Sequence, residues 1–77
     1  MTTLNELKKG ERAKILDIAG DDGVSIRLME MGLTEDEEIQ LVGFAPLGDP
    51  IEFVVRGYHL SLRASEAQRV EVEKINE

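Results

Sequence analysis

Residues 51–64, "IEFVVRGYHLSLRA", decide what kind of chain this is. Two runs rich in β-branched and aromatic residues flank Gly57, and apolar side chains alternate along both. Gly57 followed by Tyr58 suits a two-residue type II′ turn, which takes glycine at its first central position. That register predicts the pairs Arg56 with His59, Val55 with Leu60, Val54 with Ser61, Phe53 with Leu62 and Glu52 with Arg63. One face of the hairpin is then Ile51, Phe53, Val55, Leu60 and Leu62, and the other is polar apart from Val54. Arg63 acquires a structural role as the cross-strand partner of Glu52.

The stretch before the hairpin, "FAPLGDPIEF" (44–53), holds both prolines of the chain. Pro46 and Pro50 withhold backbone donors and fix φ, and Asp49 can bond its own backbone. A turn accounts for all of these residues except Leu47, an apolar side chain at the tip, where water is the default neighbour. Before it, "EEIQLVGF" (37–44) alternates as a strand. The acidic cluster "EDEE" (35–38) has chelating residue types, but its carboxylates diverge where the strand begins, so a solvated turn is expected.

Further toward the N-terminus, "DDGVSIRLMEMG" (21–32) offers Asp22 as an N-cap and Gly32 as the left-handed residue after the last turn, with a short helix between. Placed at about 100° per residue, Val24, Leu28 and Met31 form one apolar stripe. Ile26, Met29 and Leu33 form another, nearly opposite, with Ser25, Arg27 and Glu30 between. A small domain has one core, which leaves two readings of the second stripe: Leu4, Leu7 or the "APLG" loop folds over it, or it is a docking surface. "RAKILDIAG" (12–20) is a strand by alternation, with Ala13, Ile15 and Asp17 on one side and Leu16 and Ile18 on the other. Thr3 and Glu6 have capping-box spacing, as do Ser65 and Gln68, and each marks one short helical turn. "VEVEKI" (70–75) closes the chain as a last strand. Five short strands, one inserted helix and two isolated turns close most economically as a small, strongly bent barrel.

Composition narrows function. Residues 1–77 are expected to form one domain, since a chain this short buries only about 60% of its unfolded surface and has no room for a second core. The net charge of −7 opposes nucleic-acid binding, which needs cations to displace counterions, and suits a cationic partner. No cysteine is present, so disulfides and thiolate metal sites are excluded. The single histidine, His59, is expected to be an exposed hairpin residue, because a metal site there would need two or three further converging ligands. No apolar run reaches the roughly 18 residues that span a bilayer, and the start lacks a signal-peptide core, so a cytoplasmic chain without membrane insertion is expected. Neither G-x-G-x-x-G nor a P-loop appears, and three serines with one histidine and no nucleophile elbow make a poor hydrolytic set. The chain is expected not to be an enzyme.

Four segments, "LKKGERAKI" (7–15), "RLMEMGLT" (27–34), "APLGDPIEF" (45–53) and "LSLRASEAQRVEV" (60–72), together resemble the FeoA family, the ferrous iron transport protein A of the bacterial Feo system. The resemblance runs along nearly the whole chain. It implies a mainly β fold, an SH3-like small barrel of about five strands with one inserted short α-helix and short helical turns. It also implies a cytosolic accessory protein of ferrous iron uptake, peripheral to the inner membrane through its partner, the cytosolic part of a GTP-binding iron transporter whose transport it modulates. Where the family carries glycine two residues after "GLT", this chain has Asp36, which is expected to take the left-handed conformation.

With such a partner, the contact residues are expected to be Ile26, Met29 and Leu33 on the helix and Leu47 in the loop. An alternative from a different class is a GTPase-activating effector that supplies Arg56 in trans to a transferring phosphate. Another is a stand-alone metal-sensing domain related to the SH3-like domain of iron-dependent repressors. No cofactor is expected; ferrous iron, the transported ion, would be bound only weakly, through carboxylates.

Overall fold

The computed structural model describes residues 2–75. Six antiparallel strands form one sheet: β1 (Thr2–Thr3), β2 (Arg12–Ile18), β3 (Glu38–Phe44), β4 (Ile51–Val55), β5 (Tyr58–Leu62) and β6 (Val70–Lys74). The strand order is β1-β6-β2-β3-β4-β5. The helix α1 (Gly23–Glu30) lies between β2 and β3, a four-residue helix α2 (Ala64–Ala67) links β5 to β6, and a 3-10 turn covers Leu4–Glu6. The five expected strands are all present, and the sixth is the two-residue β1, too short to show a pattern in sequence. Side chains from β2 to β6, both helices and the N-terminal turn bury themselves in one core that includes Leu4, Leu7, Ile15, Leu28, Phe53 and Val70.

The hairpin forms with a different turn from the one the sequence suggests. Val55 pairs with Tyr58 and Ile51 with Leu62, so the two loop residues are Arg56 and Gly57, at φ of 53° and 80°. Positive φ at both central positions is the type I′ turn, whose twist matches that of the strands. It makes Tyr58 the first residue of β5, opposite Val55 in the register, with its side chain largely exposed. Moving the turn back one residue slides the pairing by two, so the buried face survives intact: Ile51, Phe53, Val55 and Leu62 are buried and Leu60 half-buried. Glu52, however, now pairs with Ser61. The expected Glu52–Arg63 pair does not form, and Arg63 loses its assigned role.

The strand β2 departs from strict alternation. Its register with β6 shifts between Ile15 and Asp17, and this bulge at Leu16 reverses the phase. Ala13, Ile15 and Ile18 therefore point into the core while Leu16 and Asp17 are exposed. A second shift lies between Leu41 and Gly43 in β3, and Phe44 at the end of that strand is exposed.

The helix α1 begins as its residue types require. Asp22 Oδ1 accepts from the Ser25 N–H at 3.2 Å, and the Ser25 hydroxyl donates back to the Asp22 carbonyl at 2.8 Å. That second bond lets Ser25 sit fully buried, where the sequence pattern put it between two stripes; the core-facing side of α1 is Ser25 and Leu28. At the other end, the Gly32 N–H donates to the Met29 carbonyl at 3.0 Å and the Leu33 N–H to the Leu28 carbonyl at 3.2 Å. With Gly32 at φ of 100° this is a Schellman motif.

Asp36 adopts φ of 72°, as its replacement of the family's glycine implies, and its N–H donates to the Ile15 carbonyl at 2.8 Å. A left-handed aspartate carries a Cβ penalty that glycine lacks, partly offset by the greater freedom of an unfolded glycine. Asp36→Gly is expected to raise stability by up to about 1 kcal/mol, read from urea unfolding. A lower midpoint would mean that the aspartate side chain is needed in this turn.

The short turns also differ in detail. Thr3 and Glu6 do cap one another, the Thr3 N–H donating to Glu6 Oε1 at 3.2 Å. In place of the expected Ser65–Gln68 box, the Arg63 N–H two residues earlier donates to Glu66 Oε1 at 2.9 Å, one half of such a box, since an arginine side chain has no acceptor for the return bond. Asp49 does not bond its own backbone but accepts from the Ala64 N–H at 2.9 Å, so the β3–β4 loop is tied to the start of α2.

Candidate functional site

Water meets apolar side chains at two of the places where contact residues were expected. On α1, Ile26 and Met29 are 53% and 46% exposed, and at the tip of the β3–β4 loop Leu47 is 97% exposed. The second stripe is not covered: Leu4 and Leu7 go into the core instead, and the loop leans on α2 through Asp49. Leu33 requires a correction. It is fully buried, because the Schellman turn at Gly32 ends the helical spacing on which the stripe was drawn and directs Leu33 into the core with Leu28. Leu33 is therefore no contact residue at the surface, and the exposed stripe shortens to Ile26 and Met29.

Met29 also borders a groove of about 220 Å³ between α1 and the bulged end of β2, with Leu16, Ile18 and Leu33 beneath it and Asp17 and Glu35 beside it. The other flank of α1 faces a larger groove of about 710 Å³, where Val24 and Arg27 meet Pro50, Ser61 and the α2 residues Ser65 and Glu66. Leu47 stands clear of both. The structure thus brings Met29 next to Leu16 and leaves Leu47 on a separate projection.

Arg56 is not a free cation. Its guanidinium donates to Glu37 Oε1, closing the hairpin tip against the entry to β3. The same bond holds the Glu37 carboxyl below its usual value and raises Arg56. An arginine acting in trans would first have to leave this carboxylate. Arg69 is similarly engaged: its guanidinium donates to Asp22 Oδ1 at 2.6 Å. That bond first, and the Ser25 N–H second, hold the Asp22 carboxyl low.

A pH prediction follows from these two carboxylates. Each folded value lies below the unfolded one, with ordinary values of 4.5 for glutamate and 3.8 for aspartate. Their stabilising contribution is therefore complete above those ordinary values and lost as pH falls through the depressed folded ones. Glu37→Gln and Asp22→Asn are expected to melt below the parent at pH 7, with the gap closing below about pH 4. A gap independent of pH would show that the ionised forms are not what is stabilised.

Among the described residues, no three His, Asp or Glu side chains group as a metal site. Of the "EDEE" carboxylates, Glu37 bonds Arg56 and Glu38 bonds Arg12. Among the same residues no helix is long and apolar enough to cross a membrane.

The FeoA domain family matches residues 2–74. This chain belongs to the FeoA family. It is 37% identical over 73 residues, 95% of its length, to the Fe(2+) transport protein A/Fe(2+) transporter FeoB fusion protein of Porphyromonas gingivalis, and spans 9% of that protein. The solution structure of a FeoA-like protein from Clostridium acetobutylicum superposes with a TM-score of 0.89 at 41% identity, covering 100% of this chain and 93% of that one. The zinc-complexed FeoA of Stenotrophomonas maltophilia, described as an SH3 domain protein, superposes with a TM-score of 0.80 at 34% identity, covering 95% and 91%. The bent six-stranded sheet is thus the SH3-like fold that the FeoA resemblance implies.

The sequence reading missed the larger groove. Three of the chain's five arginines, Arg27, Arg63 and Arg69, line it. They come from α1, the end of β5 and the residue before β6, up to 42 positions apart (69 − 27). No local pattern could have joined them, and the misplaced hairpin register hid Arg63 by giving it a partner.

Proposed function

We propose that the chain docks on the cytosolic part of a GTP-binding ferrous iron transporter and modulates its transport, working beside the membrane by contact and not by catalysis. The observation that carries this reading is the fusion: in the P. gingivalis relative, a segment similar to almost all of this chain is continuous with a FeoB Fe(2+) transporter. Covalent linkage supplies a partner at millimolar effective concentration. A separate chain needs a surface to find the same partner, and Ile26, Met29 and Leu47 are apolar side chains left in water with no core to enter. The small area they offer suits a reversible contact.

Saturable binding of the purified chain to the cytosolic GTP-binding domain of its own transporter is expected in at least one nucleotide state, measured on an immobilised chain. Ferrous iron uptake is expected to change when the chain is deleted from cells that keep the transporter. No binding to the isolated domain or to the detergent-solubilised transporter, with uptake unaltered by the deletion, would refute the proposal.

A further inference from the structure

The 710 Å³ groove carries a charge arrangement unlike the rest of the molecule. In a chain of net charge −7 it gathers three arginines against the single carboxylate Glu66 among its lining residues. Arg27 pairs with Glu66 while 59% of its side chain stays exposed, and Arg69 is tied to Asp22 at the groove's end. A guanidinium has five N–H donors, more than one carboxylate can accept, so a paired Arg27 still has donors to offer. Arg63 is different again. Of the arginines it alone has no carboxylate partner among the described residues, its expected partner Glu52 being taken up opposite Ser61. Its side chain is exposed and also borders an adjoining hollow with Asp49 and Pro50.

The groove runs beside β5, which is an outer strand of the sheet with β4 on one side only. Val24 and Pro50 add apolar wall between the cations. We infer that this groove binds an extended acidic peptide segment of a partner protein, with a carboxylate held by Arg63, a second reaching Arg27, and the segment lying along β5. Outer strands accept extended segments, and a planar guanidinium fork fits a carboxylate in two-point geometry. The cationic partner that the overall charge suits would meet the opposite, acidic surfaces; this groove is the exception and selects the other sign. The site is separate from Ile26, Met29 and Leu47, and its test needs no transporter.

The probe is a blocked eight-residue peptide of alternating valine and glutamate, titrated into the isotope-labelled chain with backbone amide shifts as readout. Saturable shifts are expected at Val24, Ser61, Arg63 and Ser65. Affinity should fall about tenfold for the same peptide with glutamine in place of glutamate, and about tenfold for Arg63→Gln, and should weaken with added salt. Ser61→Glu, an exposed change on β5, should abolish binding, while Met29→Asp should leave it unchanged. Amide shifts far from the groove report that each variant is folded. Equal affinity for the two peptides, or unchanged affinity in Arg63→Gln, would overturn the inference. So would inorganic pyrophosphate reproducing the shifts where the peptide produces none, which would assign the arginines to a phosphate ligand.

Discussion

Phe53→Ala lowers the stability of this domain by about 3–5 kcal/mol, the cost of removing a large buried side chain and leaving a cavity. Phe53 is the largest of the fully buried side chains. It sits on β4, paired with Leu41 of β3 on one side and Leu60 of β5 on the other. Both helices and four other strands pack into the same core, so no smaller part of the molecule can collapse to fill the space. A domain of this length has a total stability of about 4–12 kcal/mol. The variant is therefore expected to lose a large share of its stability and to melt far below the parent, and circular dichroism melting measures it. A loss below about 1 kcal/mol would mean that the hairpin face is not the centre of the core.

Met29→Asp has an equally large expected effect of a different kind. Met29 is 46% exposed on α1, so an aspartate there stays hydrated and the melting temperature should barely move. On the proposed docking surface the same carboxylate would be buried against an apolar partner without a counter-charge. Loss of a central interface contact costs about 2 kcal/mol or more, roughly thirtyfold in affinity, and an unpaired buried charge adds to it. Binding to the transporter's cytosolic domain should fall below detection while the fold persists. Retained affinity would remove α1 from the interface.

The buried face of the hairpin was legible in the sequence although its turn was not. Faces follow a period of two, and shifting the turn from Gly57-Tyr58 to Arg56-Gly57 slides the register by two, which no face pattern can detect. Asp22 and Gly32 were legible as helix ends because each acts through its own residue type. Leu33 was not, since helical spacing says nothing about a chain that has already turned. Leu16 was hidden by a bulge, a feature that depends on the opposing strand β6. Ile26 and Met29 could be found because an amphipathic count leaves them over. The arginine groove could not, because its members meet only when α1, β5 and the α2–β6 junction come together. The strand pattern and the resemblance to FeoA agree on the barrel for the same physical reason: alternating apolar residues in five short strands have few other ways to share one core.

The exposed apolar side chains of α1 and of the β3–β4 loop are the proposed docking surface. The most direct measurement is a titration of the isotope-labelled chain with the cytosolic domain of its transporter, with and without a GTP analogue, following backbone amide shifts. Shifts concentrated at Ile26, Met29 and Leu47 are predicted in at least one nucleotide state. Binding that leaves those three amides unmoved while shifting residues on another face would contradict it.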